Sequence, residues 1–284
     1  MLAMLSKSVC LTLCLCIMVG CSKTEEKPTT NTNLASTTKP TVTTTNNSNY
    51  TANPKWETIV VGSEINYPPF EFQDQKGLPT GFEVELLQKI GKMEEFNVQF
   101  IHHARSEATD TLNANKYRIW ASALSVTPER AAVMDFTQPI INSEFIAGVL
   151  DNEKNASINT AEDLKGKSIA VSQNAKTTME YALKVSGGEQ YVVALNSFYL
   201  SVKEVFSGKA DAVISDKRVL NYYMTQYPDI KVKTISLNSE KKDLAFAVKK
   251  GDTEMLNKLN SGLEKLKSNG TYERLMTKWF GTTS

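Results

Sequence analysis

The chain has 284 residues, 41% hydrophobic, 8% aromatic and 22% charged, enough to bury one large core or two ordinary ones. Its 32 lysines and arginines stand against 31 aspartates and glutamates, a balance that excludes the strong basic field nucleic-acid binding requires. The two histidines, His102 and His103, are adjacent, so on a strand they face opposite ways and give no basis for a shared metal site.

The chain opens with Lys7 and an apolar run from Val9 to Val19. That length suits a signal-peptide core and falls well short of the about 20 residues a membrane span needs. The run ends Met18-Val19-Gly20-Cys21, which resembles the lipobox of bacterial lipoproteins. Cys10, Cys14 and Cys16 lie inside the run and would leave with it, so Cys21 would stand alone and no internal disulfide could form. The resemblance implies that residues 1–20 are a lipoprotein signal peptide and that Cys21 carries acyl chains. Several chains together anchor a protein stably to a membrane where one is marginal. From Ser22 to about Pro54 the chain is Thr, Asn, Ser, Lys and Pro with scarcely a large apolar side chain. It cannot offset its ordering entropy by burial, and residues 21–55 read as a disordered tether.

Order is expected from Trp56. The β-branched segment 57–63 reads as a strand. Residues 81–92 place Phe82, Leu86 and Ile90 at helical spacing. Segments 97–101 and 118–124 read as further strands with a helix between them. The runs IAVS, QYVVAL and ADAVIS alternate with helical stretches near 178–186, 197–207 and 217–226, and two helices close the chain, near 252–268 and 270–279. Strand–helix alternation of this kind predicts an α/β fold with parallel sheets. Thr160 with Asp163 predicts a short helical turn, Thr177 with Glu180 a capping box, and Gly208 a helix stop.

Four places carry residue types suited to a ligand. In GSEINYPPFEF, two prolines after a strand fix a turn holding Glu64, Tyr67 and Phe70 at a strand's carboxyl end, where open α/β sheets bind ligands; the two aromatics could equally pack on the first helix. In SVTPER, Thr127 caps a helix with Pro128 at its first position. Arg130 then sits against the helix dipole, where it invites an anion, with Ser125 and Thr127 as further donors. The alternative for Arg130 is an ion pair with Glu129 or Asp135. Asp216 follows the ADAVIS strand as either a helix cap or an acceptor for an ammonium group. Finally, the turn around Lys176, Thr177 and Thr178 could offer free helix-start amides to a carboxylate.

An anion-holding arginine and an ammonium-holding aspartate together describe a site for a zwitterion. The segments VGSEINYPPFEF, TGFEVELL, ASALSVTPER, MDFTQP, EDLKGKSIAV, SGKADAVISD and NGTYERLMTKWFG stand in the order of, and resemble, the family-3 extracellular solute-binding proteins of amino-acid ABC importers. That resemblance covers the chain from Trp56 to Gly281. It implies the type II periplasmic-binding-protein fold, two α/β lobes joined by a two-stranded hinge with the ligand cleft between them. Lobe 1 would comprise 56–143 and 240–284, and lobe 2 would comprise 144–239. Arg130 would clamp the ligand α-carboxylate with Ser125 and Thr177, and Asp216 would take the α-ammonium. Tyr67 would cover the ligand, Glu64 would face its side chain, and Ser122 and Ala123 would line the same wall. Arg105 stands where the family often has a pocket aromatic, and Asn115-Lys116-Tyr117-Arg118 where it usually has Gly-Lys-Phe/Tyr-Asp.

The resemblance also implies permease and ATPase subunits as partners, an envelope location facing the periplasm or the cell surface, a monomer, and no cofactor. Two other functions remain open: a cyclohexadienyl-dehydratase-like enzyme that uses Glu64 as acid or base, and a ligand-sensing surface lipoprotein without a transporter. No glycine-rich phosphate loop or nucleophile elbow occurs in the chain.

Overall fold

A computed structural model describes residues 50–281. The expected signal peptide, Cys21 and most of the tether lie outside these residues. Order begins before Trp56. Strand Phe96–His102 is the edge of its sheet, and Tyr50 Oη accepts the Val98 N–H at 3.0 Å. Asn53 exchanges hydrogen bonds with the buried Asn97, N to Oδ1 at 2.8 Å and Nδ2 to O at 2.9 Å. The last residues of the expected tether are therefore packed, because they satisfy polar groups that the sheet edge leaves open.

Among the described residues two five-stranded sheets form the cores of the lobes, beside a small sheet of Asn66–Tyr67, Glu71–Gln73 and Pro79–Thr80. The first runs in the order Phe96–His102, Glu57–Ser63, Ile119–Trp120, Ala247–Lys249, Met134–Phe136. The second runs Val192–Leu195, Ile169–Ser172, Ala212–Asp216, Phe145–Leu150, Val232–Ser236. In each, the first three strands and the last run in the same direction, and the fourth lies antiparallel between its two neighbours. The expectation of parallel sheets therefore holds for only part of each. Ala247–Lys249 enters the first sheet, and Phe145–Leu150 the second, by crossing from the other lobe, and each runs against its neighbours. The crossing itself is a two-stranded antiparallel ribbon, Ile141–Ser143 with Lys242–Leu244.

Helix Phe82–Met93 covers the first sheet with Phe82, Val84, Leu86, Leu87 and Ile90 fully buried, and helices Thr253–Ser268 and Thr271–Phe280 pack beside it. Its start is made by the proline turn. Pro69 and Phe70 carbonyls accept from Phe82 N and Glu83 N, both at 2.9 Å. That approach needs glycine at 81, where φ is +126° and a Cβ would stand 2.3 Å from the Phe70 oxygen.

Two local expectations are corrected. The strand expected over 118–124 is only Ile119–Trp120, because Ala123 turns left-handed at φ 44° while its N–H meets the buried Glu83 carboxylate. The expected Thr177 capping box does not form. Helix Lys176–Ser186 begins two residues earlier than that cap requires, and Ala175, at the cap position, has no side-chain acceptor to offer. Asn115 takes the left-handed conformation (φ 54°) where the resembling family has glycine, and Arg118 grips Asp252 at 2.8 and 3.1 Å on the outside of lobe 1.

Candidate ligand cleft

The two lobes meet at aromatic contacts, Tyr67 edge-on to Phe198 and Phe72 against Tyr222, and a cavity lies between them beside the ribbon. Lobe 1 contributes Tyr67, Arg105, Ala123, Ser125 and Arg130, and lobe 2 contributes Phe145, residues 175–178 and Asp216. A larger surface depression by Tyr50, Trp56, Gln88 and Lys89 lies on lobe 1 away from this constellation.

Arg130 stands in the first turn of helix Pro128–Val133, whose cap Thr127 Oγ1 accepts the Arg130 N–H at 3.4 Å. Its Nη1 donates to the Ser125 carbonyl at 2.9 Å, which bends the guanidinium toward the cleft. No carboxylate of the described residues pairs with it within 4.0 Å. Asp135, one of the alternatives, is taken by Lys250 at 2.7 Å. Burial, and then the charge of nearby Arg105, pull the Arg130 pKa below its ordinary value. A cation placed this way is stabilised by an anion.

Across the cavity, Asp216 is 2% exposed. Its Oδ1 caps helix Lys217–Gln226 by accepting Arg218 N at 2.7 Å, and its Oδ2 accepts Ser143 Oγ at 2.8 Å. Burial raises its pKa, opposed by Arg218 and these hydrogen bonds. An approaching ammonium would favour the ionised form. Between these charges, the uncapped start of helix Lys176–Ser186 lines the cavity at Lys176, Thr177 and Thr178, and its first amides are open to a carboxylate.

The remaining expected residues divide. Tyr67 and Ala123 line the cavity, with Tyr67 stacked on Phe70 at 6.1 Å. Phe70 does not reach the ligand space. It is fully buried against Phe82 and Phe280, because the proline turn rolls it under the first helix. Ser122 is also fully buried, behind the wall: its Oγ donates to Glu71 Oε1 at 2.6 Å and accepts from Arg105 Nη2 at 3.2 Å. Glu64 faces a smaller neighbouring recess, and its Oε2 is engaged by Arg105 Nη2 at 3.1 Å.

Several residues of the site were not anticipated. Ser143, Phe145 and Leu244 line the cavity from the crossing region, and two fully buried acids, Glu71 and Glu83, stand behind it. Burial and the neighbouring Glu83 charge push Glu71 well above the usual carboxylate range, while burial raises Glu83 to about 7 against the Ala123 N–H and Arg105. Alternation in the strand places Glu71 opposite Phe72, but nothing marks it as the inward residue. Glu83 looks like an ordinary acid of a helix first turn. Among the described residues no cluster of His, Cys, Asp and Glu suits a metal, and no helix is long and apolar enough to cross a membrane.

Comparison with known proteins agrees with this fold. A probable amino-acid ABC transporter-binding protein of Haemophilus influenzae is 30% identical over 227 residues, covering 80% of this chain and 86% of that one. An ancestral arginine-binding protein bound to glutamine superposes with a TM-score of 0.71 at 32% identity, covering 79% of this chain and 98% of that structure. An ancestral amino acid-binding protein described as a precursor of cyclohexadienyl dehydratase gives 0.71 at 31% identity, covering 78% and 95%. The family model for bacterial extracellular solute-binding proteins, family 3, matches residues 59–282. With two α/β lobes, a ribbon hinge and a cleft between them, the chain belongs to that family.

Proposed function

We propose that this protein is the substrate-binding lipoprotein of an ABC importer, which captures a polar or charged amino acid by lobe closure and delivers it to a permease and its ATPase. The observation that carries this reading is the pairing across one cavity of Arg130, unmatched by any described carboxylate, with the buried Asp216. The α-carboxylate goes to Arg130, Ser125 and the helix start at Thr177, and the α-ammonium goes to Asp216, with Tyr67 as cover. Lobe 1 is residues 56–143 and 240–284, and lobe 2 is 144–239. Because ligand contacts come from both, the ligand binds the closed form better and shifts the population toward it.

The protein acts without turnover. Glu64, the acid that a dehydratase-like activity would recruit, is already engaged by Arg105. Anchoring through Cys21 holds the protein in the cell envelope, facing the periplasm or the cell surface, as a monomer without cofactor. Two experiments test this. A thermal-shift screen of the full chain against the twenty amino acids, cystine, ornithine and prephenate should show stabilisation by one or a few amino acids, and prephenate incubated with the same protein should remain unconsumed. Stabilisation by none of the amino acids would sink the reading. Cys21→Ser should release a binding-competent protein from the membrane, and unchanged retention would remove the lipid anchor.

A further inference from the structure

The amino-acid reading leaves the far end of the ligand undefined, and three observations at Arg105 bear on it. Arg105 enters from the short turn Arg105–Glu107 and lies over the Tyr67 ring at 5.2 Å. It borders both the amino-acid cavity and the smaller recess beyond it. Its Nη2 is engaged, by Glu64 Oε2 at 3.1 Å and Ser122 Oγ at 3.2 Å, while its buried Nε has no hydrogen-bond partner. Glu64 is the one carboxylate among the described residues lining the recess, and the other polar groups there include Asn66, Asn174, Asn196 and Ser197, all uncharged.

We propose that Arg105, held by Glu64, sets the side-chain preference of the site, admitting amino acids whose side chain ends in a carboxamide and turning away those that carry a positive charge. This rests on the amino-acid-binding reading above. A buried N–H without a partner costs free energy that a ligand oxygen recovers, and a carboxamide oxygen supplies that acceptor without a charge. Its amide hydrogens would face the asparagine and serine oxygens of the recess. A ligand ammonium or guanidinium would instead sit beside the Arg105 charge, and the acid that might have received it, Glu64, is already taken. A side-chain carboxylate also offers an acceptor, but the Arg105 charge is already matched by Glu64, and the added negative charge would stand near two acids.

The test is isothermal titration calorimetry of the full chain with glutamine, asparagine, glutamate, arginine and lysine. Glutamine or asparagine should bind tightest, and arginine and lysine about tenfold or more weaker, which corresponds to about 1.4 kcal/mol. Arg105→Met releases Glu64 and should reverse the order, with arginine and lysine overtaking the amides. Should that variant not fold, the double variant Glu64→Gln/Arg105→Met removes both charges together and should bind amides more weakly than the wild type without gaining cations. Wild-type binding of arginine or lysine as tight as that of the amides overturns the proposal and leaves amino-acid binding standing. So does an unchanged ranking in Arg105→Met, or undiminished amide binding in the double variant. Binding of none of the five overturns the proposal, and stabilisation by no amino acid in the wider screen overturns the amino-acid reading with it.

Discussion

Replacing Glu83 by glutamine removes an ionisable group from behind the pocket wall while keeping its shape. The side chain is fully buried, and both its oxygens lie 3.0–3.1 Å from the Ala123 amide that shapes the wall. Burial raises its pKa from an ordinary 4.5 to about 7, opposed by that amide and by Arg105. Because the folded pKa lies above the unfolded one, the native state holds more protons between them. Its contribution to stability is complete below pH 4.5 and is lost as the pH rises through 7. The shift is 7 − 4.5 = 2.5 pH units at 1.36 kcal/mol each, so wild type should lose about 3 kcal/mol from this group between pH 4 and pH 8. Glutamine cannot titrate, and its oxygen can still accept from Ala123. Its amide hydrogens need acceptors, at a pH-independent cost of about 1–3 kcal/mol. The stability difference, variant minus wild type, should therefore climb by about 3 kcal/mol across that range, whatever its starting value. Glu71 acts in the same direction, since the Glu83 charge is one cause of its own raised pKa. Urea unfolding at a series of pH values measures the difference. A difference flat with pH would mean that Glu83 ionises at its ordinary pKa in the fold, with the Ala123 amide and Arg105 offsetting burial.

Three further outcomes are expected. Arg130→Ala should weaken amino-acid binding by about a hundredfold or more in calorimetry, the scale of a lost charge-assisted pair, with little change in the urea midpoint. Near-wild-type affinity would end the carboxylate role. Asp216→Asn should keep the helix capped, since asparagine caps as well as aspartate, yet lower affinity by about tenfold or more; a loss of stability with affinity intact would leave Asp216 a cap alone. Phe70→Ala should cost about 3–5 kcal/mol of stability and leave the ranking of ligands unchanged. A changed ranking with stability preserved would return Phe70 to the ligand surface.

Much of the fold was legible because its signals are local. Segments 57–63 and 169–172 are apolar and β-branched, and they are strands at those bounds. Thr127-Pro128 opens a helix and Gly208, at φ +75°, closes one, because capping and left-handed turns depend on neighbouring residues. What failed depended on distant partners. The strand expected through 124 stops because Glu83, 40 residues earlier in the chain, takes the Ala123 amide. Phe70 sits in a motif that suits a cleft, and only the packing of Phe82 and Phe280 around it decides that it faces the core. Glu64 and Arg105 pull the ligand preference in opposite directions when read separately. Their contact, across 41 positions in sequence, makes them one element.

Asp216 illustrates why choosing between a structural and a ligand role from sequence was the wrong question. Cap and ammonium acceptor stood as alternatives, yet a carboxylate has about four acceptor directions, and two are used here. Oδ1 holds the start of helix Lys217–Gln226, and Oδ2 holds Ser143 of the crossing ribbon. Those bonds fix the carboxylate and leave acceptor directions for the ammonium proposed to meet it. They also tie it to the ribbon that joins the lobes, so the group that would receive the ligand nitrogen is positioned from the hinge itself. In the role proposed for it, the capping carboxylate is held in place before any ligand arrives, and preorganisation of this kind reduces the ordering cost that binding would otherwise carry.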